Sequence, residues 1–292
     1  MKRLACLIIA SILLFSFVLI APVSVASQTA LPDHLSPMKY VSDTSSVPDS
    51  LAKPMGKPVK PVPDPTAGKW AVVIGIADYK GGSSDLWNPD DDAKEMYSEL
   101  VNQQGYPAGN VKLLTNKAAT ASAIIAAIDW LVQNEMAGNE VVFFYSGHGF
   151  RAADSDGWDG DSESDGFDEG IVSYDLYGLP DGLLKQKFTS IDSTRFALLF
   201  GSCHSGGMFD DDYDLQQSGR IIVSACKADQ YGWDYSNLGN TLWGFYFVDS
   251  GLLQDHAASI EAAQAYAYPF VVAEQPDSEP QISDGISGEF YL

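Results

Sequence analysis

A cysteine and a histidine stand side by side at the end of an apolar run. Cys203 and His204 follow the run "FALLFG" (residues 196–201) and precede Ser205 and two glycines. The run is typical of a buried strand, and the carboxyl ends of parallel strands are where ligand sites lie. A thiolate here could act as a nucleophile, with the glycines letting backbone amides approach a developing oxyanion. A free cysteine is also a common small core residue, so Cys203 alone leaves both interpretations open.

The proton of such a thiol needs an acceptor, and His148 is better placed than His204. Adjacent side chains near a strand end point in divergent directions, which suggests that His204 orients the loop instead. His148 follows a second apolar run and has a glycine on either side, in "FFYSGHG". If the two strands are parallel neighbours, His148 and Cys203 meet at one edge of the sheet. A Cys–His pair placed in this way is an activated nucleophile with its general acid–base.

Two other interpretations of these side chains remain open. A zinc site made of His148, Cys203 and His204 lacks the close-spaced second pair of ligands that such sites commonly carry. A disulfide between Cys203 and Cys226 needs close Cα atoms, which the sequence does not fix.

The elements that must position these residues alternate between strand and helix. Strands are predicted in the segments 70–76, 111–114, 139–149, 195–203 and 219–226. Helices are predicted over 88–105, 119–135, 240–253 and 259–274. Asn88 is expected to cap the first helix, and Pro269 to kink or end the last. This alternation predicts an α/β fold, with a mostly parallel sheet and helices on both faces.

The two motifs together resemble a known family. "YSGHG", followed 55 positions after its histidine by "CHSG", is similar to the caspase-like cysteine peptidases, most closely the metacaspases and their prokaryotic relatives. "WAVVIGI", "LWNPDDDAKEM" and "DGFDEGIVSYD" match the same family in the same order, so the resemblance covers about residues 70–225. It implies a caspase-like α/β/α sandwich with a six-stranded sheet over residues 70–292. The caspase signature QACxG is absent, which separates the chain from true caspases.

The resemblance implies a role for each motif residue. His148 would be the general base and acid, Cys203 the nucleophile that forms a thioester acyl-enzyme, and the amides of Gly149 and Cys203 the oxyanion hole. Metacaspases cut after Arg or Lys. One of their pocket acids, in the "DDDA" segment, is kept here as Asp92, and the other is replaced by Gly201. Asp92 also suits the positive end of a helix dipole, so its role stays open.

A later segment adds candidates for substrate binding. "VSACKADQYGWDYSNLG" resembles a segment of legumain-like and clostripain-like peptidases that lines the specificity pocket. Ser224, Asp229 and Asp234 fall in this segment, and either aspartate could supply a second carboxylate for a basic P1 residue.

An acidic loop raises the question of a metal. Residues 154–169 carry eight carboxylates and no basic residue, and such charges repel one another unless a cation joins them. The start of an EF-hand is visible at Asp161, Glu163, Asp165 and Gly166, but its twelfth position is Val172 and not Glu. Metacaspases often need calcium, so the resemblance implies a Ca²⁺ site. The candidate ligands are Asp165, Asp168 and Glu169. A solvated acidic loop is the alternative.

The N-terminal segment predicts export. Lys2 and Arg3 precede an apolar run to about Ile20, and small residues at positions 24 and 26 have the spacing of a signal-peptidase site. A signal peptide is therefore predicted over residues 1–26, with an uncleaved membrane anchor as the alternative. Residues 27–69 hold eight of the fifteen prolines, which favours an extended spacer over a pro-segment.

Composition narrows the partners. A formal net charge of −22 over 292 residues repels nucleic acid and anionic lipid. Together with the resemblance to metacaspases, the sequence predicts a secreted, monomeric cysteine endopeptidase that acts on proteins or peptides. A catalytically silent, calcium-binding interaction module is the alternative, and the intact His148 and Cys203 favour the enzyme.

Overall fold

A computed structural model describes residues 35–38, 45–46, 68–154, 163–210 and 215–292. The predicted signal peptide over residues 1–26 lies outside these ranges, as does half of the acidic loop, residues 155–162. Among the residues described, no helix combines the length and the apolar character needed to cross a bilayer.

A six-stranded sheet carries the fold. In spatial order its strands are β13 (Gln281–Asp284), β10 (Arg220–Ser224), β9 (Phe196–Gly201), β5 (Glu140–Ser146), β3 (Lys69–Gly75) and β4 (Val111–Thr115). All neighbours are parallel except β13, which runs antiparallel to β10. The prediction of a mostly parallel six-stranded sheet is therefore confirmed.

Helices cover both faces of this sheet. They are α1 (Pro89–Ser98), α2 (Ala121–Asn134), α3 (Asp181–Phe188), α4 (Leu242–Gly244) and α5 (Ile260–Glu274). Stretches of π-helix extend α1 over Glu99–Gln103 and α4 over Phe245–Leu253, and short 3₁₀ turns cover Ala108–Asn110, Asn116–Ala118 and Ser205–Met208.

Two hydrophobic cores follow from the alternation of side chains along each strand. In β5, Phe143 belongs to the core that includes residues of α2 and α3, whereas Phe144 belongs to the core that includes residues of α1 and α5. Successive strand residues point to opposite faces, so a continuous apolar strand feeds both cores. This is the layered α/β/α arrangement expected from the sequence.

The structure corrects the predicted cap at Asn88 and one of the two outcomes predicted for Pro269. Asn88 precedes α1 but its side chain does not cap the helix, because its amide donates to Asp234 and to the Asn240 carbonyl instead. Pro269 does not end α5, which runs on to Glu274.

Two smaller sheets were not anticipated. One has the order β2 (Ser45–Ser46), β8 (Tyr177–Pro180), β7 (Phe167–Val172) and β6 (Gly149–Ala153). The other has the order β1 (Leu35–Pro37), β11 (Trp233–Tyr235) and β12 (Asn240–Thr241). Strands β1 and β2 come from the proline-rich segment 27–69, so parts of that segment pair with strands of the domain.

Candidate functional site

The two motif loops leave adjacent strands at the same edge of the central sheet. Ser146 of β5 is paired with Gly201 of β9, and His148 and Cys203 each lie two residues beyond that pair. The loops touch directly, because a Cβ built on Gly149 would lie 1.9 Å from the carbonyl oxygen of Cys203. The structure thus brings the histidine loop and the cysteine loop together as the sequence predicted.

Hydrogen bonds hold His148 in one orientation. Its Nε2–H donates to the Ser84 carbonyl at 2.8 Å, and its backbone N–H donates to the Tyr79 hydroxyl at 2.7 Å. The Tyr145 hydroxyl donates to the His148 carbonyl at 2.7 Å. With Nε2 committed to Ser84, the Nδ1 lone pair is the atom able to accept a proton.

The electrostatics of His148 suit a base. Burial lowers the pKa of the His148 ring, while the carbonyls of Met38 and Ser84 beside it act in the opposite direction by favouring the protonated ring. A lowered pKa keeps the imidazole neutral near pH 7, which is the form that can accept a proton.

The cysteine loop gives Cys203 and His204 different surroundings. Cys203 is buried, and its thiol donates to the Gly232 carbonyl at 3.4 Å. His204 adopts a left-handed backbone with φ of 58°, and its Nδ1–H donates to the Ala228 carbonyl at 2.7 Å. Its ring stands edge-on to Tyr231 at 5.3 Å. These bonds tie His204 to the following loop, which agrees with the orienting role predicted for it.

The alternative interpretations of these side chains gain no support. Cys203 and Cys226 are both free thiols, so they form no disulfide. The Cys226 thiol donates to the Ser202 carbonyl at 3.4 Å, and burial raises its pKa to about 11. Within the described ranges, no three His, Cys, Asp or Glu side chains are grouped closely enough to hold a metal ion, which also removes the zinc interpretation.

The proposed oxyanion donor at Gly149 already meets a carbonyl. The Gly149 N–H donates to the Met38 carbonyl at 3.1 Å. The Gly149 N–H therefore lies next to the Cys203 loop and binds a carbonyl oxygen there. An oxyanion-hole donor must bind the substrate carbonyl in the same way.

Asp92 is a buried structural acid and not an open pocket acid. It accepts hydrogen bonds from Ser146 and Thr241 hydroxyls, both at 2.7 Å, from the Thr241 amide at 3.0 Å and from Asn240 Nδ2 at 3.2 Å. The side chain is fully buried, and burial raises its pKa to about 7. Since four donors from the chain already surround both oxygens, a substrate cation has no approach to Asp92 in this arrangement.

The surroundings of Gly201 explain why this position does not carry the pocket aspartate of metacaspases. A Cβ at this position would lie 3.2 Å from Cε3 of Trp243 and 3.3 Å from the Ser146 hydroxyl. The Trp243 indole, stacked on Phe247 at 4.4 Å, fills the space into which a longer side chain would extend. An aspartate here would therefore have to displace the indole.

The other three substrate-binding candidates lie apart. Asp234 is buried, its carboxylate accepts from the Trp87 amide and from Asn88, and burial raises its pKa to about 6. Ser224 is fully buried and donates to the Cys226 carbonyl at 2.9 Å. Asp229 is exposed and lines a different cleft. None of the three offers a free carboxylate or hydroxyl beside Cys203.

The predicted calcium ligands surround an arginine. Arg151 donates to Glu169 at 2.6 Å and to Asp165 at 2.7 Å. Asp168 and Glu169 are fully buried, and burial raises the pKa of Glu169 to about 9 although Arg151 acts against this rise. The guanidinium thus occupies the position between Asp165 and Glu169 that a cation would need, so these residues as arranged do not fit Ca²⁺.

Sequence reasoning missed three contributors to the site. Ser84 acts through its backbone carbonyl, which leaves no signature in the residue type. Tyr79 lies 69 positions before the histidine whose amide it binds, and its ring is 4.7 Å from the imidazole. Met38 comes from the segment interpreted as a spacer.

Comparison with known proteins places this geometry in context. The family model described as "Caspase domain" matches residues 68–250. Metacaspase-1 of Cryptococcus neoformans is 32% identical over 218 residues, covering 68% of this chain and 47% of that protein. Metacaspase-3 of Arabidopsis thaliana is 37% identical over 123 residues, covering 40% of this chain and 33% of that protein. The chain thus spans about half or less of these relatives.

A solved structure supports the fold alone. A crystal structure of a protein from Geobacter sulfurreducens superimposes with a TM-score of 0.57, covering 76% of this chain and 94% of the other. Its sequence identity of 20% carries no argument about activity.

Proposed function

The chain belongs to the caspase-domain family and has metacaspases among its relatives, and from that premise we propose that it is a cysteine endopeptidase using Cys203 and His148. The observation that carries the proposal is the meeting of the two loops just beyond the Ser146–Gly201 pair. Each loop supplies one partner of a Cys–His pair, and the Gly149 amide supplies a donor beside them.

In the proposed mechanism each group takes one step. Nδ1 of His148 accepts the thiol proton of Cys203, and the sulfur adds to the carbonyl carbon of the P1 residue. The negative charge that forms on the carbonyl oxygen is stabilised by the Gly149 N–H. His148 then returns the proton to the leaving amine, which gives a thioester on Cys203. Water, deprotonated by His148, hydrolyses the thioester and releases the acid and the free thiol.

The proposal is tested with an unbiased peptide library and the full chain. The wild type is expected to cleave library peptides, whereas Cys203→Ala and His148→Ala lose cleavage by at least about 10³-fold. His204→Ala is the matched control, because this neighbouring histidine binds Ala228 and not the thiol. Cleavage that persists in Cys203→Ala would overturn the proposal. Absence of cleavage in every form would favour a silent interaction module.

Export and a monomeric state are further parts of the proposal. The charged start and apolar run of residues 1–26 support export, and a fusion of these residues to a reporter enzyme should carry the reporter out of the cytoplasm. Light scattering of the purified chain should give the mass of one copy, 31.5 kDa before removal of any signal peptide. The charge of −22 supports protein or peptide partners and not nucleic acid.

Calcium dependence stays a prediction without support from the site. Arg151 already pairs with Asp165 and Glu169, so no catalytic step is assigned to a metal. Calorimetric titration of the chain with Ca²⁺ checks this directly. Binding in Arg151→Ala but not in the wild type would show that the guanidinium substitutes for the ion.

A basic P1 preference likewise lacks support, because no candidate carboxylate is open to a P1 side chain. Asp92 and Asp234 are fully buried and hydrogen-bonded within the chain, and Gly201 cannot supply a carboxylate. The residue that does lie beside Cys203 is Met38, whose backbone N–H shares the Gly232 carbonyl with the Cys203 thiol.

A further inference from the structure

A segment of the chain itself crosses the site in an extended form. Strand β1 pairs antiparallel with β11, with Leu35 opposite Tyr235, Ser36 opposite Asp234 and Pro37 opposite Trp233. Without β1, strand β11 would present a free edge on this side, because its other neighbour is β12. Adding an extended peptide to a free strand edge is a common way for a protein to bind peptides.

The backbone of Met38 continues this pairing into the catalytic groups. Its N–H donates to the Gly232 carbonyl at 2.9 Å, and the same carbonyl accepts from the Cys203 thiol at 3.4 Å. The Met38 carbonyl accepts from the Gly149 N–H at 3.1 Å and lies beside the His148 ring, whose pKa it raises. The carbonyl of Met38 therefore lies where the mechanism requires the carbonyl under attack.

The side chain of Met38 shows what the adjoining pocket accepts. It is fully buried and forms part of a hydrophobic core that also includes Cys203. A Cβ on Gly232 would lie 2.9 Å from Cε of Met38, so the glycine leaves room for an unbranched side chain. Burial of a methionine side chain is favourable, whereas burial of a lysine needs a carboxylate partner.

We propose, resting on the peptidase function above, that the pocket takes an apolar P1 residue that is not branched at Cβ and that Leu35–Met38 is its first substrate. The chain cuts itself directly after Met38. Sulfur of Cys203 bonds to the Met38 carbonyl carbon, the following C–N bond breaks, and His148 passes the thiol proton to the departing amine. Water then releases Met38 as a carboxylate.

Because Leu35–Met38 is covalently joined to the domain, it also acts as an inhibitor until the chain is cut after Met38. A linked peptide competes at an effective concentration on the order of millimolar, so external substrates are excluded at ordinary concentrations. Cleavage removes the covalent link and converts the segment ending at Met38 into a separate product that can leave by dilution.

The test follows self-processing of the full-length chain by N-terminal sequencing and intact mass. The wild type is expected to give a new N-terminus at position 39, and Cys203→Ala to stay intact. Met38→Leu should process at a similar rate, whereas Met38→Lys, Met38→Arg and the β-branched Met38→Val should slow at least tenfold. Thermal unfolding followed by circular dichroism checks that the variants fold like the wild type.

Peptides supplied to the processed protein complete the test. Leu-Ser-Pro-Met with a fluorogenic leaving group should exceed the matching Lys and Arg peptides at least tenfold in kcat/KM. Faster cleavage of the basic peptides, or self-cleavage elsewhere in residues 27–69, would overturn this inference and leave the peptidase function standing. No cleavage of the chain or of any library peptide would overturn both.

Discussion

The substitution Asp92→Asn separates a structural role for this acid from a role in substrate recognition. In the folded chain the pKa of Asp92 is about 7, against an ordinary value of 3.8, because burial penalises the charged form. The folded state therefore binds the proton more tightly than the unfolded state. Stability from this group is fully present below about pH 4 and is lost as the pH rises towards 7.

The magnitude follows from the two pKa values. One pKa unit corresponds to about 1.4 kcal/mol, so Asp92 alone would lower the free energy of unfolding by roughly 2–3 kcal/mol between pH 5 and pH 8. Asparagine can keep the hydrogen bonds. Its oxygen accepts from the Thr241 amide and Asn240, and its NH₂ donates to the hydroxyls of Ser146 and Thr241, which act as acceptors instead.

Urea unfolding at pH 5, 6, 7 and 8 measures this difference, in a Cys203→Ala background that prevents self-cleavage. We expect Asp92→Asn to match its parent at pH 5 and to exceed it by roughly 2 kcal/mol at pH 8. The exposed Asp78→Asn is the control and should leave the pH dependence unchanged. An identical pH dependence in Asp92→Asn and its parent would refute the reasoning, as would a selective loss of basic-P1 cleavage when Asp92→Asn is made in the active chain.

Three further substitutions test the supports of the site. Gly149→Ala places a methyl group 1.9 Å from a backbone oxygen and should reduce kcat/KM by at least about 10²-fold, whereas Gly138→Ala, with open space around it, should not. Tyr79→Phe removes the acceptor of the His148 amide and should cost about 1–2 kcal/mol of stability, measured by urea unfolding, together with a lower kcat. Cys226→Ala should leave peptide cleavage within about twofold, because burial makes this thiol a poor nucleophile; a larger loss would contradict that.

The strands, the helices and the meeting of the two loops could be read from the sequence because each depends on local pattern. The apolar runs that became β5 and β9 feed both cores, which requires a covered parallel sheet, and parallel neighbours must bring His148 and Cys203 to one edge. The resemblance to metacaspases narrowed the choice between the histidines further.

The pocket could not be predicted in the same way. Whether Asp92 is open to substrate depends on Asn240 and Thr241, some 150 positions along the chain, and no short-range pattern specifies that contact. The orienting group of His148 is the backbone carbonyl of Ser84, which any residue could supply. Met38 looked like part of a spacer because its docking depends on the free edge of β11.

The most direct test of the account is the detection of an acyl group on Cys203. The processed protein is mixed with the best peptide substrate from the library, quenched in acid within milliseconds and digested for mass spectrometry. The account predicts an added acyl mass on the peptide that contains Cys203, sensitive to hydroxylamine as a thioester should be. Rapid cleavage with the acyl mass on another residue, or with no acyl mass at all, would contradict it.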